Sequence, residues 1–338
     1  MAQFCNPSIS YAELTLPLPC PKDLWFARSA EEFKVRYLET RAAEGKRAPC
    51  LGDLFRDIRL LTANYAKMDL QYAISIYLHG FWSLIWEYRQ LSSVFRAPNQ
   101  PDSFQSSSTM LLGSRHQELC KQLHEFQLLS SDFRDMFSAQ EYTILHLLLM
   151  NLHVSLDDLQ LFSGKEGEEQ ARRVYPRLQV WSSSVQAREA LWHAGQILCQ
   201  AKQFPTGHLK DFYAIAVQHA ALCLWTFGVV TKATHRGPPA LAPRPYEIVY
   251  LDGQDSPQIH QYLSLGTGRA AIRGPATRHH PAPLMESLLE DPRGCMDIAQ
   301  EILRANFVGG RESLPPINEN ISHMLKQLAN AAWAVGLG

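Results

Sequence analysis

The sequence predicts an all-α protein: a large, multi-helix, bundle-like domain with at most a small β-ribbon near residues 246–265. Three observations carry that expectation. Apolar residues recur at helical spacing through most of the chain, as in Leu70, Ala73, Ile74, Tyr77, Leu78, Phe81, Leu84 and Ile85. Helix-start signatures pair Ser29 with Glu32, Ser138 with Glu141 and Ser183 with Gln186. Only "YEIVYLDG" combines β-rich residues with a glycine turn. Hydrophobic residues are 46% and charged residues 19% of the 338, which supplies a sizeable core and excludes global disorder.

Taken in order, the chain opens with "LTLPLPCPKDLW", where Pro17, Pro19 and Pro21 each push the preceding residue out of the helical region. Helices are expected at "SAEEFKVRYLE", "LGDLFRDIRLL" and "DLQYAISIYLHGFWSLIWEYRQL". Residues 96–112 are rich in proline and serine and read as a loop. "SRHQELCKQLHEFQLL" and "SAQEYTILHLLLMNLHVSLDDLQLF" are helical, and "SGKEGEEQARRVYP" reads as a charged connector. "SSVQAREALWHAGQILCQAKQF" follows as a helix that Pro205 helps to end.

The clearest break in composition is "THRGPPALAPRP", residues 234–245, which cannot hold a helix. It divides the chain into a main helical part, 1–233, a proline-rich linker, 234–245, and a closing part, 246–338, expected to pack on the same domain. In that closing part "SPQIHQYLSLGTG" fits either a short helix or a second strand. Two amphipathic helices, "CMDIAQEILRANF" and "INENISHMLKQLANAAWAV", end the chain. The last carries Ile317, Ile321, Met324, Leu325 and Leu328, then Ala332 and Trp333, and must bury that face in cis or on a partner. No internal repeat of solenoid length is present.

The totals exclude several function classes. A formal net charge of −1 lacks the basic surplus of a chain that reads nucleic acid by itself. The seven cysteines (Cys5, Cys20, Cys50, Cys120, Cys199, Cys223, Cys295) are odd in number and form no CxxC. That pattern suits neither a zinc module nor a disulfide scaffold, and reads as reduced thiols of an intracellular protein. "MAQFCNPSIS" lacks the basic-then-apolar pattern of a signal peptide. Phe212–Thr231 has no charged residue and the length of a membrane span, but Gln218 and His219 interrupt it and much of it is alanine. A buried core helix is expected there, and no membrane contact.

The stretch richest in chemistry is 191–225, which holds His193, Cys199, His208, His219 and Cys223. On a helix, His193 and Cys199 fall on opposite flanks of the apolar stripe Ala187, Ala190, Leu191, Ala194, Leu198 and Ala201, so both cannot reach one ion. His219 and Cys223 share a face, but two ligands do not make a site. HExxH, GxSxG and Walker spellings are missing. "GTGRAA" at 266–271 has the form GxGxxA, yet the strand candidate Ile248–Leu251 is not adjacent and no βαβ unit is expected around it. The acids Asp157–Asp158 and Glu168–Glu169 read as solvated faces, and Phe81, Trp82, Trp86 and Tyr88 as core. Arg269, Arg273 and Arg278, with His279 and His280, form a basic cluster whose plain reading is a solvated loop and whose functional reading is contact with an acidic partner. No catalytic, cofactor-binding or metal-ligating residue is expected, and the chain is expected to be metal-free.

Four blocks, "LPLPCPKDLWFARSAEEFKVRYLE", "AREALWHAGQILCQAKQFPTGHLKDFYAIAVQHAALCLWTFG", "YLDG…IHQYLSLGTG" and "LPPINENISHMLKQLANA", stand in the order of one known family. The chain resembles the fungal-specific transcription factor domain, or middle homology region, in the form found in fungal regulators with N-terminal Cys2His2 zinc fingers. The resemblance implies an all-α, non-enzymatic, nuclear regulatory domain of RNA polymerase II transcription, with protein partners, its own DNA-binding module or small effectors as its contacts. DNA would be reached only through a zinc-finger region that these 338 residues do not contain, and zinc is expected only in that module. Because the last block falls inside the domain, the resemblance also implies that the C-terminal helix packs in cis. The competing reading is a stand-alone helical enzyme or a membrane-associated protein.

Overall fold

The computed structural model describes residues 13–42, 47–95, 105–130, 137–234, 247–275, 285–308 and 314–334. Among them the chain is all-α with one small sheet. Its contacts divide it into two units, the first ending at Glu141 and the second beginning at Tyr142.

The first unit holds α1 (Lys22–Trp25), α2 (Ala30–Ala42), α3 (Leu51–Arg56), α4 (Leu60–Ala63), a 3-10 turn at Tyr65–Lys67, α5 (Leu70–Phe95) and α6 (Gln105–Ser130). The proline-spaced opening is extended and tied down by backbone bonds, Leu18 N–H to Pro49 O at 2.9 Å and Asp69 N–H to Pro19 O at 2.8 Å. At the start of α2 the Glu32 amide donates to Ser29 Oγ at 3.1 Å, while the Arg28 amide donates to Glu32 Oε2 at 2.7 Å. An aromatic cluster forms the core: Tyr77 stacks on Phe126 at 5.1 Å between centroids and meets Phe81 at 5.5 Å and Phe55 at 5.6 Å. α6 begins inside the stretch expected to be a loop; residues 96–104 lie outside the described ones.

The second unit takes α7 (Ala139–His153), α8 (Leu156–Phe162), α9 (Glu168–Ser182), α10 (Val185–Ala201), α11 (Phe212–Thr234), β1 (Ile248–Tyr250), α12 (Pro257–Leu265), β2 (Arg269–Arg273), β3 (Glu286–Leu288), α13 (Pro292–Ala305) and α14 (Pro316–Ala334). Residues 235–246, most of the expected linker, lie outside the described residues, and the segments on both sides of it belong to this unit.

Further local readings differ from the structure. The "charged connector" forms most of α9, with Pro176 inside it. Its charges occupy the solvent side while Val174 and Leu178 are buried, so packing outweighs the lost amide of an interior proline. The β-structure is also larger and later than a ribbon near 246–265. β1 pairs parallel with β2, and β2 antiparallel with β3, in the order β1-β2-β3. Alanine-rich "RAAIR" and three-residue "ESL" have little intrinsic strand preference, so tertiary pairing alone selects them.

The parallel pair makes β1-α12-β2 a βαβ unit, contrary to the expectation that none surrounds "GTGRAA". The glycines nevertheless sit at the wrong end for a dinucleotide. They follow the helix instead of opening it: Gly266 is the left-handed C-cap of α12 with φ 71°, and Gly268 has φ 97° on the way into β2. The start of α12 is set by Ser256, which accepts from the Ile259 amide, and by Pro257 in the first turn.

The C-terminal helix packs in cis, against α13 and α11. Its buried face is Asn318, Ile321, Ser322, Leu325, Leu328, Ala329 and Ala332, rotated slightly from the expected stripe, with Ile317 and Met324 at its edge. The side chain of Trp333 lies outside the described ones. Leu325 is fully buried. Leu325→Ala is therefore expected to cost about 2–5 kcal/mol of unfolding free energy in a urea titration.

Candidate functional site

Helix α10 is the element to which the chemistry-bearing residues of the second unit attach. Its N-cap is Ser184, one residue beyond the expected Ser183, and accepts from the Ala187 amide at 3.2 Å. Its alanine and leucine stripe, Ala187, Ala190, Leu191, Ala194, Leu198 and Ala201, is buried, and the helix packs chiefly on α11. On other faces it meets the β1 turn and α12. A Cβ on Gly195 would stand 2.5 Å from Leu251 O, so only glycine lets the backbones approach this closely. The next residue, Gln196, donates from Nε2 to Leu251 O at 2.9 Å and Gly253 O at 2.8 Å. Arg188 donates to Leu263 O at 2.8 Å and Ser264 O at 3.1 Å, satisfying carbonyls that the end of α12 leaves open.

Just past α10, Lys202 forms an ion pair with Asp252, whose side chain is fully buried, and Arg273 Nε lies 3.5 Å from the other carboxylate oxygen. The Arg273 guanidinium covers the Tyr250 ring at 4.5 Å. Arg269 pairs with Glu290, Nε to Oε1 at 3.2 Å. The expected solvated loop is thus in part strand β2, with both arginines engaged by acids of the same chain. Arg278, His279 and His280 lie outside the described residues.

The histidines separate into distinct surroundings. His193 lies between two rings of α7: centroids are 5.4 Å apart to His146 and 5.9 Å to His153. His193 Nδ1 shares a hydrogen bond with His146 Nδ1 at 3.1 Å, and His153 Nδ1 donates to Gln186 Oε1 at 2.6 Å. Burial pushes His146 down to about 4. His219, on α11, has Nε2 3.4 Å from Gln160 Nε2, and burial assisted by Lys165 lowers it to about 4. Cys199 and Cys223 do not approach a nucleophile's requirements. Burial raises both thiols, and it pushes Cys295 up to about 12, so thiolate is scarce at neutral pH. No disulfide joins the six cysteines among the described residues.

One group of side chains that could hold a metal ion is found among the described residues: His153, Glu189 and His193. It is not the pairing considered from the sequence. The Glu189–His193 spacing of one helical turn is legible on α10, but its third member arrives from α7, which no periodicity along a single helix reveals. α11 is long and apolar enough to cross a membrane by length and composition, and 78% of its most apolar window is buried inside this fold.

Two outcomes are expected. Gly195→Ala should destabilise the chain by about 1–3 kcal/mol in urea, although alanine is the better helix former, because the new methyl meets a backbone carbonyl. The second concerns acid. His219 binds a proton more weakly folded than unfolded, so its contribution is whole above pH 6.5 and is lost as pH falls toward about 4. His219→Gln should remove about one proton from the pH dependence of the urea midpoint across that window.

No family model matches the chain, and no solved structure matches it. Curated relatives do. It is 24% identical over 261 residues to a protein named a transcription factor from Zymoseptoria tritici, covering 67% of this chain and 26% of that protein. It is 21% identical over 238 residues to transcription factor PfmaH from Pestalotiopsis fici, covering 65% and 24%. Transcription factor 1 from Elsinoe fawcettii is 23% identical over 282 residues, covering 78% and 28%. The chain therefore spans about a quarter of the length of the curated relatives it matches, and its distant relatives are fungal proteins named transcription factors.

Proposed function

We propose that this chain is a regulatory, protein-interaction domain of a fungal transcription factor of the middle homology type, acting in the nucleus on RNA polymerase II transcription. The observation that carries the reading is the set of fungal transcription factors aligned over 65–78% of the chain. The geometry is compatible with it. The wording behind the resemblance, "REALWHAGQ" and "YLDG", is spent on joining α10 to the β1 turn and α12 through Arg188, Gly195 and Gln196. Residues so used hold a scaffold together, and the buried thiols and neutral histidines beside them offer no activated nucleophile.

On this reading DNA selectivity belongs to a separate zinc-finger module, and the chain's contacts are protein partners or that module. With a net charge of −1 the chain alone lacks the counterion-release contribution of a DNA reader.

The test is a tethering assay. Fused to a heterologous DNA-binding module, the chain is expected to move reporter transcription up or down relative to the module alone, and Gln196→Ala should weaken the effect by loosening the scaffold. An unchanged reporter, with the fusion expressed, nuclear and folded, would refute the proposal. In parallel, the isolated chain should show no sequence-selective binding to duplex DNA at about 0.15 M salt by fluorescence anisotropy.

A further inference from the structure

His153 is the last residue of α7, and Glu189 and His193 stand one turn apart near the start of α10. One ligating atom from each lies within 4.8 Å of the other two. We propose that His153, Glu189 and His193 form a binding site for a divalent transition metal ion of the zinc type, clamping the end of α7 to the second turn of α10. This departs from the expectation of a metal-free chain, which considered ligand spacings along single helices.

Hydrogen bonding already orients the ligands. His153 donates its Nδ1 proton to Gln186 Oε1 at 2.6 Å, which places the ring's lone pair on Nε2, a buried atom. His193 Nδ1 faces His146 Nδ1 at 3.1 Å. With His193 as the donor in that bond, its lone pair too falls on Nε2, which is also buried. An outer hydrogen bond on the far nitrogen is how metal-binding imidazoles are fixed in tautomer and direction. Gln186 and His146 occupy those outer positions.

The spacing suits one ion. Two imidazoles on a tetrahedral ion, with bonds near 2.0–2.1 Å, have ring centres roughly 5 Å apart. Those of His153 and His193 are 5.9 Å apart. Donor atoms around such an ion stand roughly 3.3 Å from one another. Closing from within 4.8 Å requires a side-chain adjustment, and Glu189, only half-buried, is the ligand with room to make it.

The donor set decides the metal. Two neutral imidazoles and one carboxylate favour zinc and its neighbours over magnesium or calcium, which take oxygen ligands. Three protein ligands leave the fourth tetrahedral position for water or another donor. Exposure rises along the site from buried His193 through half-buried Glu189 to exposed Gln186, which provides an entry path from solvent. The proposal does not depend on the regulatory reading, since the ion joins two helices whatever the chain regulates.

The experiment strips the full chain with a chelator and titrates it calorimetrically with Zn2+ alone. A second titration uses Co2+, whose visible bands report tetrahedral ligation. One equivalent should bind saturably and raise the thermal unfolding temperature, and excess Mg2+ should not compete. Glu189→Gln keeps the volume and both imidazoles, and should weaken binding by about tenfold or more. Gln186→Ala, at the exposed mouth, should also weaken it, with far-UV circular dichroism unchanged. If His153→Gln disturbs folding, Glu189→Gln still carries the test. No saturable binding by the folded wild-type chain, or binding that Glu189→Gln leaves unchanged, overturns the proposal.

Discussion

The second unit depends on one close approach, that of α10 to the turn after β1. Gly195 lets the helix backbone come against Leu251 O, and Gln196 then donates to the carbonyls of Leu251 and Gly253. The turn itself carries Asp252, a fully buried carboxylate between Lys202 and Arg273. A buried charge of this kind is tolerated only with its partners in place, and removing one leaves an uncompensated ion. The glycine contact, the amide and the ion pairs therefore require one another. Through them a helix that packs on α11 also positions a three-stranded sheet and, by Arg188, the end of α12.

Buried amides play the same part in the stretch that follows α10. Asn306 Nδ2 donates to Phe204 O and Pro205 O at 3.1 Å each, and its Oδ1 accepts from the Leu209 amide at 2.9 Å. Asn318, on α14, donates to Leu209 O at 2.8 Å. The irregular stretch between α10 and α11 thus has its backbone groups satisfied by side chains of the C-terminal helices, as a buried loop must. This explains why "FPTGHL" and "INEN" belong to one fold although they lie far apart in the chain. It also gives α14 a polar anchor in addition to its apolar face.

The histidine-rich stretch that raised the question of chemistry divides along the same lines. His219 and Cys223 are core groups of α11, where burial disfavours their charged forms. His193 instead faces His146 and His153 of α7, with Glu189 of its own helix one turn before it. Helix α10 thus supplies the scaffold contacts, through Arg188, Gly195 and Gln196, and two members, Glu189 and His193, of the one ligand-like cluster found among the described residues, with His153 coming from α7.

By itself the sequence determined the helical class, the buried stripe of α10, the cap at Ser29 and the apolar face of the C-terminal helix, though not what that face packs against. Those features rest on periodicity and on side chains acting within a few residues of themselves, and such local physics is written in the order of the residues. Tertiary structure alone decided the strand at "RAAIR", the helix across Pro176, the pairing of Arg269 and Arg273 with acids, and the meeting of His153 with Glu189 and His193. In each case the deciding partner lies on another element. Weak local preference leaves such residues undetermined until packing brings that partner within a few ångströms.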